Sequence, residues 1–304
     1  TIYVSGENGT GIKAVNSTVV NSALINADNM ASGMYLDSSD AINSGEINVL
    51  YGTGIKAAGS NVTNDENGKI IVQSGTGIQS EKSMIFNNGI IESGETGVYA
   101  LNNVKTVNAG KISGKTGVEI KAGDEEFSGH FLNTGEISGT DYAVKFDDGN
   151  SVLELGNGSV INGKIDASAG ENILIVNGDV KLDSADNFSK LVSRGNSEVS
   201  GTINLKPAED YDYYTEAYTS AKNTRNIADE TELGEMILSG TINVGVNYDG
   251  ITDETNKTGK ILTSGLVLKN GAVVLNNAGN TENDIVTESG MKNYGDQIRV
   301  KSII

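Results

Sequence analysis

Apolar and polar residues alternate in short bursts along this chain, and the bursts recur at a nearly fixed interval. In "GIKA" (11–14), Ile12 and Ala14 fall on one side of an extended backbone and Lys13 on the other, the pattern of a strand with one buried face. The six residues "GTGIKA" at 9–14 return letter for letter at 52–57, and "GTGIQS" follows at 75–80. Aligned on the second glycine of this marker, Gly11, Gly33, Gly54, Gly77, Gly97 and Gly117 lie 22, 21, 23, 20 and 20 residues apart, and Ala143 stands in the glycine's place 26 residues further on. A second marker, NxGxI, keeps the same phase at Asn43–Ile47, Asn87–Ile91, Asn108–Ile112 and Asn133–Ile137, with imperfect copies at 21–25 and 64–70.

A period of 20–23 residues holds three strands of four or five residues with their turns, which is one coil of a parallel β-helix. The fold predicted is therefore all-β: a single right-handed parallel β-helix, the hand following from the crossover rule for parallel strands. Equivalent side chains should stack about 4.8 Å apart from coil to coil. One inward column should be Ile12, Met34, Ile55, Ile78, Val98, Val118 and Val144. The other should be Ile25, Ile47, Ile70, Ile91, Ile112 and Ile137. Asn21, Asn43, Asn87, Asn108 and Asn133 are expected to form a structural ladder of amides, each bonded to the next. The glycines are expected at turns with positive φ.

The pattern divides the chain into regular coils over 1–148, a continuation over 149–206, an insertion over 207–236 and a further continuation over 237–304. The continuation at 149–182 keeps the strand and turn texture and reuses the ladder motif at Asn162–Ile165. "VSGTINL" at 199–205 and "LSGTINV" at 238–244 repeat each other 39 residues apart, where a bare coil needs about 21. The insertion between them holds the only proline, Pro207, four tyrosines, Tyr211, Tyr213, Tyr214 and Tyr218, and a helix-leaning stretch from Thr215 to Met236. Tyrosine offers a large contact area with a hydrogen-bonding tip, so these four are the candidate binding residues; the alternative is a loop that packs its rings back on the coil.

Composition narrows the function. No tryptophan, five phenylalanines and 39 glycines suit a narrow core filled by aliphatic side chains. A formal charge of −18 repels phosphate backbones, so nucleic acid is excluded as a partner. With no cysteine there is neither a disulfide framework nor a thiolate metal site. The first residues, "TIYVSG", lack the basic start and apolar stretch of a secretory signal, and the segment reads as excised from something longer. His130 is the sole histidine and no GxSxG motif accompanies it, so no catalytic residue is assigned and no enzyme activity is expected. Oxygen ligands crowd 248–256, but without EF-hand or GGxGxD spacing; no metal and no cofactor is read from the sequence. The predicted outward column Lys13, Tyr35, Lys56, Gln79, Tyr99, Glu119 and Lys145 mixes charge signs and reads as a solvated face.

The NxGxI copies, the TGI/TGV series and "LELGNGSVINGKIDASAGENILIVNGD" at 153–179 resemble the passenger domains of monomeric (type Va) autotransporters of Gram-negative bacteria, most closely fusobacterial ones. The resemblance covers nearly the whole chain, and its motifs specify architecture rather than activity. It implies a right-handed β-helical rod held on the extracellular side of the outer membrane, or released from it, and secreted through a β-barrel translocator in the parent protein. On this reading the chain is a monomeric adhesin segment that presents binding elements to a host-cell surface protein or glycan, or to partner bacteria. The alternative is a passive spacer of an autotransporter serine protease whose catalytic domain lies outside this chain.

Overall fold

The computed structural model describes residues 1–121, 127–167, 172–180, 184–206, 235–243, 260–263, 265–269, 272–275 and 298–300. Every regular element among them is a β-strand, and strands pair in parallel with the strands one coil away. They form two compact units, one of residues 1–151 with 160–165, the other of 152–159 with 166–304. The strands stack as a parallel β-solenoid, as the repeat predicts.

Each coil of the first unit contributes one strand to each of three faces. The first face carries the TGI marker, beginning with Thr10–Val15 and Ala31–Asp37. The second holds Thr18–Asn21, Asp40–Asn43, Asn61–Asn64, Met84–Asn87, Lys105–Asn108 and Phe127–Asn133. The third begins with Ile2–Val4 and Leu24–Ala27. Strands such as Glu46–Ala58 and Lys69–Glu81 are long because the chain runs from the third face into the first without a break in pairing.

Both predicted inward columns are present rung for rung. Ile12 pairs Met34, Met34 pairs Ile55, and the series continues through Ile78, Val98 and Val118 to Val144. Ile25, Ile47, Ile70, Ile91, Ile112 and Ile137 run in register on the third face and are fully buried. Burying an isoleucine contributes about 1.5–3 kcal/mol, so this column alone is a large share of what holds the coils together.

The two sequence markers share one period because they touch. A Cβ at Gly11, Gly33, Gly54, Gly77, Gly97 or Gly117 would lie under 3.0 Å from the carbonyl oxygen of the next residue of its own column and from Cγ2 of an isoleucine in the NxGxI column. Isoleucine puts that methyl on Cβ, close to its own backbone, so it can lie against a bare Cα. These glycines serve close approach, which corrects the expectation of positive φ: none of the six has it. Left-handed backbone instead marks the corner between first and second faces, at Asn16, Ser38, Gly59, Lys82 and Asn102.

In the second unit, Val152–Gly156 lies in register with 173–177, and Ile173–Ser193 continues the column. The strand Lys190–Val199 divides: its first half pairs Lys260–Thr263 and its second half Glu235–Leu238. "VSGTINL" and "LSGTINV" stack directly, with Val199 opposite Leu238 and Ile203 opposite Ile242, so the 39-residue interval is one step of the stack. Met236 is a buried strand residue rather than part of the insertion, because the ladder with Ser197 and Leu266 already claims it.

Candidate functional site

Tyr211, Tyr213, Tyr214 and Tyr218 lie outside the described residues, as do the carboxylates of 248–256. Among the described residues, no group of three or more His, Asp or Glu side chains could hold a metal ion.

The asparagine ladder is complete and entirely internal. Asn21 Nδ2 donates to Asn43 Oδ1, Asn43 to Asn64, Asn64 to Asn87 and Asn87 to Asn108, each at 2.8 Å, and Asn108 donates to Asn133 at 2.7 Å. All six are buried. Asn64 is the rung that the motif search omits: "NDENGKI" carries two extra residues, which hides the NxG spacing. Asp65 closes that longer turn by accepting from the backbone N–H groups of Asn67 and Gly68. The Ser44 hydroxyl donates to the same carboxylate and holds it below the ordinary value. Asn162 does not join the ladder. It lies exposed on the outside of the third face, opposite Ser138, and its amide donates to Glu136 Oε1 and Ser138 Oγ, each at 3.3 Å.

A second ladder, absent from the sequence reading, follows the left-handed corner. Ser17 N–H donates to Ser39 Oγ, Ser39 N–H to Ser60 Oγ, Ser60 N–H to Ser83 Oγ and Ser83 N–H to Asn103 Oδ1, at 3.0–3.1 Å. The Ser39, Ser60 and Ser83 hydroxyls in turn donate to backbone carbonyls two residues back. Each serine thus satisfies the N–H that its corner strips of a sheet partner. The signal is a serine or asparagine after each left-handed residue, at the interval of the TGI series.

The outward column of the first face is also in register, Lys13 through Lys145. The Lys13 ammonium sits 5.5 Å from the Tyr35 ring centroid. At the far end of the column, Lys145 makes an ion pair with Asp147, and Glu119 shares a hydrogen bond with the same carboxylate. Burial and the bond to Asp147 push Glu119 from 4.5 up to about 7, so at mildly acidic pH it donates as a neutral carboxyl. At Asp147 burial acts in the opposite sense and is outweighed by the bonds from Glu119 and Lys145, which lower its pKa. A group whose folded pKa is raised lends stability that is full below its unfolded value and is lost as pH rises through the folded one. The urea midpoint should therefore fall as pH rises from 4.5 to about 7. Glu119→Gln, which keeps a donor without the titration, should flatten that fall; an unchanged slope would remove Glu119 as its source.

One groove stands out on the first unit. It has a volume of about 630 Å³, in the range of ligand clefts, and crosses the outside of the third face where the chain bends toward the first. One wall is the outward row Tyr3, Asn26, Asn48 and Ile71, contributed by four successive coils. The other includes Asp28, Leu50 and Gln73. The Tyr3 ring is 77% exposed. Asn48 Nδ2 donates to Asn26 Oδ1 at 3.2 Å and to Glu46 Oε1 at 2.7 Å, which fixes both amide planes. Glu92 follows Ile71 in the row and ends the groove.

These features define a parallel β-solenoid protein whose coils carry an axial cleft. No family model, curated protein or solved structure matches the chain.

Proposed function

We propose that the chain is a surface-displayed passenger segment of a type Va autotransporter, acting as an adhesin that presents binding elements on a β-solenoid support. The observation that carries this reading is the coil-on-coil register of the first unit. It builds a support whose outer side chains vary while its inner columns stay fixed, and the sequence motifs that resemble autotransporter passengers are those same inner columns. Contact with a host-cell surface protein or glycan, or with other bacteria, falls to elements that depart from the repeat, foremost residues 207–236. Replacing 208–234 by a short Gly-Ser linker should abolish adhesion of the purified chain to cells while leaving its far-UV β-sheet signal unchanged. Adhesion that survives the replacement would take the insertion out of the binding machinery. The second reading, a passive spacer for a protease, is favoured by the near-identity of successive coils. It predicts no cell binding by this chain and a subtilisin-type triad encoded elsewhere in the same reading frame.

A further inference from the structure

We infer that the groove on the outside of the third face is a binding site for neutral oligosaccharide. The inference rests on the adhesin reading and supplies it with a ligand class and a second contact site.

The groove runs across the strands rather than along one. Backbone donors and acceptors of the strands beneath it are spent on coil-to-coil pairing, so an extended peptide would find no sheet edge here to join. Recognition falls to side chains, and these are of the kind that hydroxyl groups match. Among the described residues, no hydrogen bond engages Asn26 Nδ2, Asn48 Oδ1 or either end of the Gln73 amide. The wall thus offers donors and acceptors on neighbouring rungs about 4.8 Å apart, already oriented by the bonds to Glu46 and between the two amides. A sugar hydroxyl both donates and accepts, and adjacent hydroxyls on one ring can serve an amide oxygen and an amide nitrogen together.

The remaining walls fit the other half of a sugar. A pyranose ring has an apolar C–H face, and Tyr3 at one end and Leu50 and Ile71 at the other give exposed apolar surfaces for it. Charge then decides between sugar classes. None of the lining residues is Lys or Arg, Asp28 lies in the wall, and the chain carries −18 overall, so sialylated, sulfated or uronic-acid ligands meet repulsion without a counter-charge. Neutral hexose and N-acetylhexosamine chains meet none.

The test uses the full 304-residue chain on a printed array of neutral, sialylated and sulfated oligosaccharides, with the strongest binder titrated by calorimetry. Neutral oligosaccharides should bind, and Tyr3→Ala and Gln73→Ala should each weaken binding at least tenfold. Tyr51→Ala, at an exposed ring next to the groove but not lining it, should leave affinity within twofold. Binding confined to acidic oligosaccharides, no binding to any, or neutral binding indifferent to both substitutions would overturn the proposal. Cell adhesion measured on the same variants separates the two readings: adhesion that persists in Tyr3→Ala and Gln73→Ala but is lost without 208–234 overturns the groove site and leaves the adhesin reading standing.

Discussion

Gly77→Ala is expected to destabilise the first unit by about 3 kcal/mol, at the upper end of what overpacking a tight interior costs. The added methyl would lie 2.5 Å from Cγ2 of Ile91 and still nearer the carbonyl oxygen of Gly97, and neither can withdraw. Ile91 is buried between Ile70 and Ile112, and Gly97 is held between the paired residues Thr96 and Val98. Chemical denaturation followed by circular dichroism would report the loss as a lower midpoint. Gly6→Ala is the control: a methyl there meets nothing within 4 Å and φ is not positive, so stability should stay level or rise by a few tenths of a kcal/mol. If the two substitutions proved equally mild, close approach would fail as the reason for the TGI glycines.

Asn87→Leu should cost about 3–5 kcal/mol, because it strands polar groups on both sides at 1–3 kcal/mol each. Asn64 Nδ2 loses its acceptor and Asn108 Oδ1 loses its donor, and the carbonyl of Gly89 loses the amide that also served it. All of this lies in a fully buried turn where water cannot take over. The same change at Asn21, the first rung, breaks one inter-rung bond and should cost less than half as much. An equal loss at both positions would show that the rungs act singly and that the ladder adds nothing.

What the sequence disclosed and what it concealed divide along one line. Residues that recur because their surroundings recur were legible: both aliphatic columns, the asparagines and the register of the outward column follow from spacing alone. The reason for the glycines was not, since spacing cannot tell a left-handed turn from a place where two backbones nearly touch. Asn64 escaped because a turn longer by two residues masked its motif while the strand before it stayed in register. The serine ladder escaped because its left-handed partner varies among Asn, Ser, Gly and Lys. The groove was hidden for the opposite reason: its wall reads Tyr3, Asn26, Asn48, Ile71, four different or half-different rungs, and a search for sameness passes over the place where the outer surface changes. The faint signal is that Asn26 and Asn48 each stand five residues after a ladder asparagine, which puts amides on the outside of two adjacent coils.

The register of the first unit also sets how it yields to force. Hydrogen bonds between coils point along the stacking direction, and each coil grips only the one above and the one below. A pull on the two ends along that direction therefore loads a single seam at a time, and the terminal coil, with a neighbour on one side only, gives way first. A coil of 20–23 residues releases about 70 Å of extended chain as it peels. Single-molecule stretching would then trace a staircase of near-equal treads, a shock absorber that lengthens under shear between attached surfaces without letting go of either.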